Sequence, residues 1–293
     1  MSTATLAAPI TAGELLDLDA IGPACFRSRR SQANPSGALY GGQVLGQGLA
    51  AAMRTVSGWP AHSLHGYFLR GGSVDLPVEY RVAALRDGRR FAQRRVEAIQ
   101  AGRAIFHMDC SFHDPEPGFD HQMAPPPGLP DPERLPSLAE FVTAEADRLS
   151  PIDVRNYGAP FPLELRLVEP RDFFFNRLRQ PRRGFWVRMP SAAAVADPAQ
   201  QQCLLAFLSD YWLAGVSAGQ HQPPTGGNGL LIASLDHALW FHRPARADEW
   251  LYYDADSPSA CEGRGLARGL LYDRAGTLVA STVQEAVLRP RGA

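Results

Sequence analysis

Apolar residues recur along this chain in two rhythms, one spaced for a helix and one alternating as in a half-buried strand, and their order is repeated. In the first half, residues 41–56 place Val44, Leu45, Leu49, Ala52 and Met53 at helical spacing behind a paired-glycine start. Strand-like runs follow at 63–69, 78–85, 91–100 and 103–112. In the second half the spacing predicts an apolar helix from about 202 to 216, then strands at 231–241, 250–254, 263–272 and 278–288. A short strand precedes each helix, at 24–29 and at 163–168.

The spacing within the halves also matches. Ser63-Leu64-His65 and Ser234-Leu235-Asp236 open the first long strand of each, and the turn glycine before the last strand lies 39 residues after Ser63 (Gly102) or 42 after Ser234 (Gly276). Two strands that meet at a glycine-containing tight turn form a hairpin. Each half therefore reads as one helix followed by an antiparallel meander. A helix that is apolar nearly all round must be enclosed on most sides. Four or more strands wrapped about it do this, which is the hotdog arrangement. The expected fold class is α+β: a double hotdog whose two sheets join edge to edge, removing an exposed edge from each.

Between the halves, residues 115–136 are dense in proline, including Pro125-Pro126-Pro127 and Pro130, which removes backbone donors and breaks regular structure. A short amphipathic helix should follow at 138–149, with Leu138, Phe141, Val142 and Leu149 on one side. The expected organisation is a first unit at 1–122, a linker at 123–162 and a second unit at 163–293.

Composition narrows the function classes. A formal net charge of -1 argues against a broad nucleic-acid surface. No apolar run is long enough to span a bilayer, and residues 1–20 lack the basic start and apolar core of a signal peptide, so the expected location is cytoplasmic. Cys25, Cys110, Cys203 and Cys261 stand far apart with no CxxC pair, as buried structural thiols do. The chain has no lysine; all 29 basic residues are arginine. A Schiff-base lysine and a GxxxxGK[ST] phosphate loop are therefore impossible, whereas arginine still suits a phosphorylated ligand such as coenzyme A. No cofactor or metal site is expected: His62, His65, His107, His113, His237 and His242 form no HExxH or other close ligand set.

One residue stands out against the apolar pattern. The helix at 41–56 contains no acid, but its counterpart carries Asp210 within Leu204-Leu205-Ala206-Phe207-Leu208-Ser209-Asp210-Tyr211-Trp212-Leu213. An unpaired buried carboxylate costs several kcal/mol, so Asp210 must be hydrogen-bonded, neutral or facing water. A competing motif, Gly215-Val216-Ser217-Ala218-Gly219, matches the GxSxG nucleophile elbow. That elbow needs a strand before it and a helix after it, whereas here a helical pattern precedes and Pro223-Pro224 with Gly226-Gly227 follow. The segment reads instead as a glycine-rich helix end.

The residues so placed resemble a known family. Gly41-Gly42-Gln43-Val44-Leu45-Gly46-Gln47, His62-Ser63-Leu64-His65-Gly66-Tyr67-Phe68-Leu69-Arg70, Asp236-His237-Ala238-Leu239-Trp240-Phe241-His242-Arg243-Pro244 and Val279-Ala280-Ser281-Thr282-Val283-Gln284-Glu285 are similar to bacterial acyl-CoA thioesterase II, the TesB-like family. The resemblance implies a double hotdog that hydrolyses acyl-CoA to a carboxylic acid and coenzyme A with a water held by an Asp, a Thr and a Gln. Those roles fall on Asp210, Ser234 and Gln284, so serine stands where the family has threonine. Serine keeps the hydroxyl but loses the methyl that stiffens the rotamer.

Asp210 would act as general base, with Ser234 and Gln284 fixing the water's line of attack. The backbone at Gly41, Gly42 and Gln43, opening the first helix, is the candidate for oxyanion and substrate binding. Arg90, Arg94, Arg264 and Arg268 are candidates for the coenzyme A phosphates. The resemblance also implies a homodimer or larger homo-oligomer. A non-catalytic acyl-CoA-binding protein and a hotdog hydratase are the alternative functions.

Overall fold

The computed structural model describes residues 8–176, 181–221 and 229–291. Its first half contains α1 (Ala12–Leu16), β1 (Leu18–Gly22), β2 (Cys25–Ser28), α2 (Gly41–Met53), β3 (Ala61–Phe68), β4 (Glu79–Asp87), β5 (Phe91–Gln100) and β6 (Arg103–His113). Two short helices follow the proline-dense stretch, α3 (Leu138–Ala144) and α4 (Pro151–Gly158). The remainder contains β7 (Glu164–Leu167), β8 (Arg182–Arg188), α5 (Pro198–Ser209), α6 (Leu213–Ala218) and β9 (Leu230–Ser234). It ends with β10 (Asp236–Phe241), β11 (Leu251–Cys261), β12 (Arg264–Tyr272) and β13 (Leu278–Pro290).

All thirteen strands belong to one antiparallel sheet in the order β1-β2-β4-β5-β6-β3-β10-β13-β12-β11-β8-β7, with β9 also pairing to β13. The halves meet edge to edge where β3 pairs β10, from Ser63 opposite Trp240 to Tyr67 opposite Asp236. That join covers the β3 and β10 edges, as expected for two fused hotdogs, and leaves β1 and β7 at the ends of the sheet.

Inside the curved sheet α2 and α5 pack against each other. A Cβ on Gly42 would lie 2.2 Å from the Phe207 carbonyl oxygen, and one on Gly46 would lie 2.7 Å from that of Cys203. Advancing along α2 therefore means going back along α5: the helices are antiparallel, and only glycine permits this backbone approach. Leu45, Leu49, Leu204, Leu205 and Leu208 are buried around the contact. At about 1.5–3 kcal/mol for each fully buried side chain, this layer supplies much of the fold's hydrophobic stabilisation.

Three departures from the sequence-based expectation matter for the site. The apolar run at 202–216 is not one helix. Asp210 is the C-cap of α5, and Trp212 adopts a left-handed backbone (φ 64°) before α6 begins. Periodicity carries through this break because both pieces bury apolar side chains, so only the backbone reveals it. Likewise 231–241 divides at Leu235 into β9, which pairs with β13 alone, and β10, which pairs with both β3 and β13. The helix expected at 138–149 stops at Ala144, with Leu138, Phe141 and Val142 buried and Ser137 and Glu140 forming a capping box. Strands β1 and β8 were not foreseen.

Candidate active site

The break after α5 turns Asp210 out of the helical row and towards the start of α2. Its Oδ1 accepts a hydrogen bond from Gln284 Nε2 at 2.7 Å, and the same Nε2 lies 3.1 Å from Ser234 Oγ. Gln284 sits on β13, fully buried, and Ser234 ends β9, paired to Ala286 on the same strand. Three segments distant in sequence thus bring together the three expected side chains. Gln284 Oε1 is buried without a hydrogen-bond partner among the described residues, which leaves an acceptor for a small polar ligand.

The first half supplies the facing wall. A Cβ on Gly41 would stand 2.8 Å from Asp210 Oδ2 and 3.1 Å from the Phe68 ring, so α2 starts in close contact with the carboxylate, which glycine permits. Tyr40, the N-cap of α2, makes no side-chain cap, and the Gly42 N–H faces Asp210. Gln43 takes another part than expected. Its N–H donates to the Tyr40 carbonyl, and its amide nitrogen donates to the Arg30 carbonyl at 2.9 Å and to Gln47 at 3.1 Å. Its Oε1 accepts from the Gln32 N–H, so the side chain ties α2 to the 30–32 segment, and the N–H and amide donors are already engaged.

Burial raises the Asp210 carboxyl from the usual 3.8 to about 6, against the opposing pull of the Gln284 and Gly42 donors. The negative end of the α5 dipole acts in the same direction as burial. A carboxylate with that affinity is ionised at neutral pH yet is a far better proton acceptor than an exposed one. Tyr211, the next residue, packs on Phe161 and also lines a cavity of about 560 Å³ with Leu138, Tyr157 and Leu163.

The other candidates do not join this cluster. Ser217 of the GxSxG match lies in α6, buried, donating to the Ala214 carbonyl at 2.9 Å, with no strand before it. Pro223-Pro224 and Gly226-Gly227 lie outside the described residues. The four arginines considered for coenzyme A all have acidic partners: Arg90 with Asp114 and Glu116, Arg94 with Asp87, Arg264 with Glu262 and Glu285, Arg268 with Asp256. Arg94 is buried as well, bonded to Thr55 at the end of α2, which removes it as a phosphate ligand.

One site neighbour escaped the sequence reading. His237, considered there only as a metal ligand, is fully buried and places Nδ1 4.0 Å from Asp210 Oδ1. The alternation of β10, with His237, Leu239 and Phe241 all buried, is the signal that could have singled it out as a polar side chain on the inward face.

Known proteins share this architecture. Residues 29–113 match the family model described as the acyl-CoA thioesterase N-terminal domain, and residues 126–288 match that of the C-terminal domain. The chain belongs to the acyl-CoA thioesterases, thioester hydrolases of the hotdog fold. Acyl-coenzyme A thioesterase 8 of Mus musculus is 35% identical, with 94% of this chain and 88% of that protein aligned. Acyl-CoA thioesterase 2 of Haemophilus influenzae is 34% identical, covering 94% of this chain and 96% of that protein. The crystal structure of acyl-CoA thioesterase II TesB2 from Mycobacterium marinum superimposes with a TM-score of 0.77 at 37% identity, covering 96% of this chain and 98% of that one. Within the thioesterases, the chain is thus a member of the TesB-like, thioesterase II family.

Proposed function

We propose that this enzyme hydrolyses acyl-CoA by direct attack of a water activated by Asp210 and oriented by Ser234 and Gln284. The observation that carries this reading is that Gln284 Nε2 joins the buried Asp210 carboxylate to the Ser234 hydroxyl beside the glycine start of α2. Asp210 accepts a proton as the water oxygen bonds to the thioester carbonyl carbon. Gln284 and Ser234 restrict the water to one line of approach. The Gly41 N–H, at the start of α2 where no side chain caps the helix, is aimed as the first turn of a helix aims its donors, and takes the developing oxyanion. Collapse expels the thiolate of coenzyme A, which needs no strong general acid. The cavity beside Tyr211 offers room for the acyl chain.

In this reading the units are 1–122 and 163–293, with 123–162 as their connection. The second carries the reacting side chains, and the first carries the helix start. No helix among the described residues is long and apolar enough to cross a membrane. A cytoplasmic homodimer or larger homo-oligomer remains part of the proposal.

Single turnover of an acyl-CoA in oxygen-18 water tests the chemical step. Label should enter the released acid directly and leave Asp210 unlabelled. Label in the Asp210 carboxyl would establish attack by the carboxylate through an anhydride and overturn the water mechanism.

A further inference from the structure

His237 stands beside the reacting carboxylate, and the hydrolytic scheme leaves it without a task. Its Nε2 lies 2.9 Å from Ser209 Oγ and 3.1 Å from Thr282 Oγ1. Both hydroxyls also lie within hydrogen-bonding distance of a backbone carbonyl, Ser209 of Ala206 at 2.9 Å and Thr282 of Ala238 at 2.8 Å. Donation to these carbonyls leaves each hydroxyl to accept from the ring, an arrangement that assigns the ring hydrogen to Nε2. Nδ1 is then a bare lone pair. It has no hydrogen-bond partner among the described residues, and it faces Asp210 Oδ1 across 4.0 Å. Burial keeps the ring neutral by pulling it down to about 3.

We propose that His237 is a positioning residue for the hydrolysis, a fixed lone pair that sets how strongly Asp210 takes the proton from water. The inference rests on the reading of Asp210 as base. An acceptor facing Oδ1 offers the carboxylate no donor. After closure by about 1 Å it would accept the hydrogen of the carboxylic acid, and hydrogen bonding to the neutral form raises a carboxyl's proton affinity. The other groups facing Asp210 do not supply this. Gln284 on β13 and Gly42 on α2 are donors that favour the ionised form. Tyr40 before α2 and Tyr253 on β11 are held protonated by burial, and Tyr253 directs its hydroxyl to the Ser209 carbonyl. The proton removed from water stays on Asp210, supported by Nδ1, while the carbon–oxygen bond forms. It leaves to the coenzyme A sulfur when the carbon–sulfur bond breaks, so Asp210 and His237 end each cycle unchanged.

The test compares pH profiles of kcat and KM on one acyl-CoA for wild type, His237→Gln and His237→Asn, with Asp210→Asn measured alongside. Glutamine can keep a nitrogen donor near Nε2 for Ser209 and Thr282 but removes the acceptor at Nδ1. Asparagine can place its oxygen near Nδ1. The acidic limb of the glutamine variant should move down by about one pH unit, tenfold in proton affinity. Its plateau kcat should fall about tenfold with KM within about twofold, and the asparagine variant should keep the wild-type limb. An unmoved limb in the glutamine variant overturns the inference and leaves Asp210 in place. An active Asp210→Asn enzyme instead overturns the reading beneath it. Imidazole nitrogen-15 shifts of His237 in the wild type decide the matter even if a variant fails to fold. A neutral ring protonated at Nε2 is expected near neutral pH, and a proton on Nδ1 overturns the inference.

Discussion

The two ends of the antiparallel α2–α5 pair are built from like parts and finished in opposite ways. At one end α5 terminates on Asp210 and α2 begins at Gly41 with no side-chain cap. At the other end α2 terminates on Arg54 and α5 begins with Pro198, its Ala199 N–H taken by the Asp197 carboxylate. Arg54 donates to the carbonyls of Leu16 and Leu18, and buried Arg94 bonds the Thr55 carbonyl just beyond. Cations at a helix C-terminus and an acid at its N-terminus suit the dipole. The silent end is therefore satisfied internally, whereas the working end sets an acid against the dipole and leaves donors open. In the proposed mechanism, reactivity comes from what one helix junction leaves undone.

The largest way to break the contrast is Asp210→Asn. Removing the base should lower kcat about 10³-fold while making the protein more stable at neutral pH. The sign follows from linkage. The folded carboxyl holds its proton to about 6 against 3.8 ordinarily, so the stability that Asp210 contributes is present below about 3.8 and is lost as pH rises through 6. The difference amounts to about 3 kcal/mol. Thermal melts of the variant should exceed wild type at about pH 7.5 and match it near pH 4, where the native carboxyl is already neutral.

Gln284→Ala removes the donor shared by Asp210 and Ser234, and steady-state thiol release should fall about a hundredfold as the water loses its line. Gly41→Ala should cost about tenfold to thirtyfold in kcat, because its Cβ would press on Asp210 and Phe68 and displace the carboxylate. The comparison is sharpened at the silent end. Arg54→Gln should leave kcat within about twofold yet lower the unfolding free energy by about 1–2 kcal/mol in denaturant titration, from two lost carbonyl bonds.

The double helix-and-meander pattern was legible because burial on one face writes a period into the sequence. That period locates 91–100 to the residue as β5 and brings most other long strands within a few positions, although 250–254 covers only the start of β11 (Leu251–Cys261). Breaks in the backbone leave no such mark: the turn at Trp212 and the division at Leu235 lie inside continuous apolar runs, and tertiary pairing decides them. Asp210 was visible as an acid among apolar neighbours, and the resemblance supplied Ser234 and Gln284. The partners of Gln43 and Arg94 were not legible either: the Gln43 N–H goes to the Tyr40 carbonyl and Arg94 to Asp87 and Thr55, pairings that only the fold decides. His237 was missed because its importance depends on which of its two nitrogens is already occupied.

The proposed mechanism requires a helix-end carboxylate held near neutrality and acting as base. The most direct measurement is kcat/KM of the wild-type enzyme on an acyl-CoA from about pH 4.5 to 8.5, a range chosen to bracket the Asp210 carboxyl. Activity should rise with pH through a single limb centred at about 6 and stay level above it, as Asp210 ionises. Activity that is flat across that range, or that falls as pH rises through 6, would contradict it.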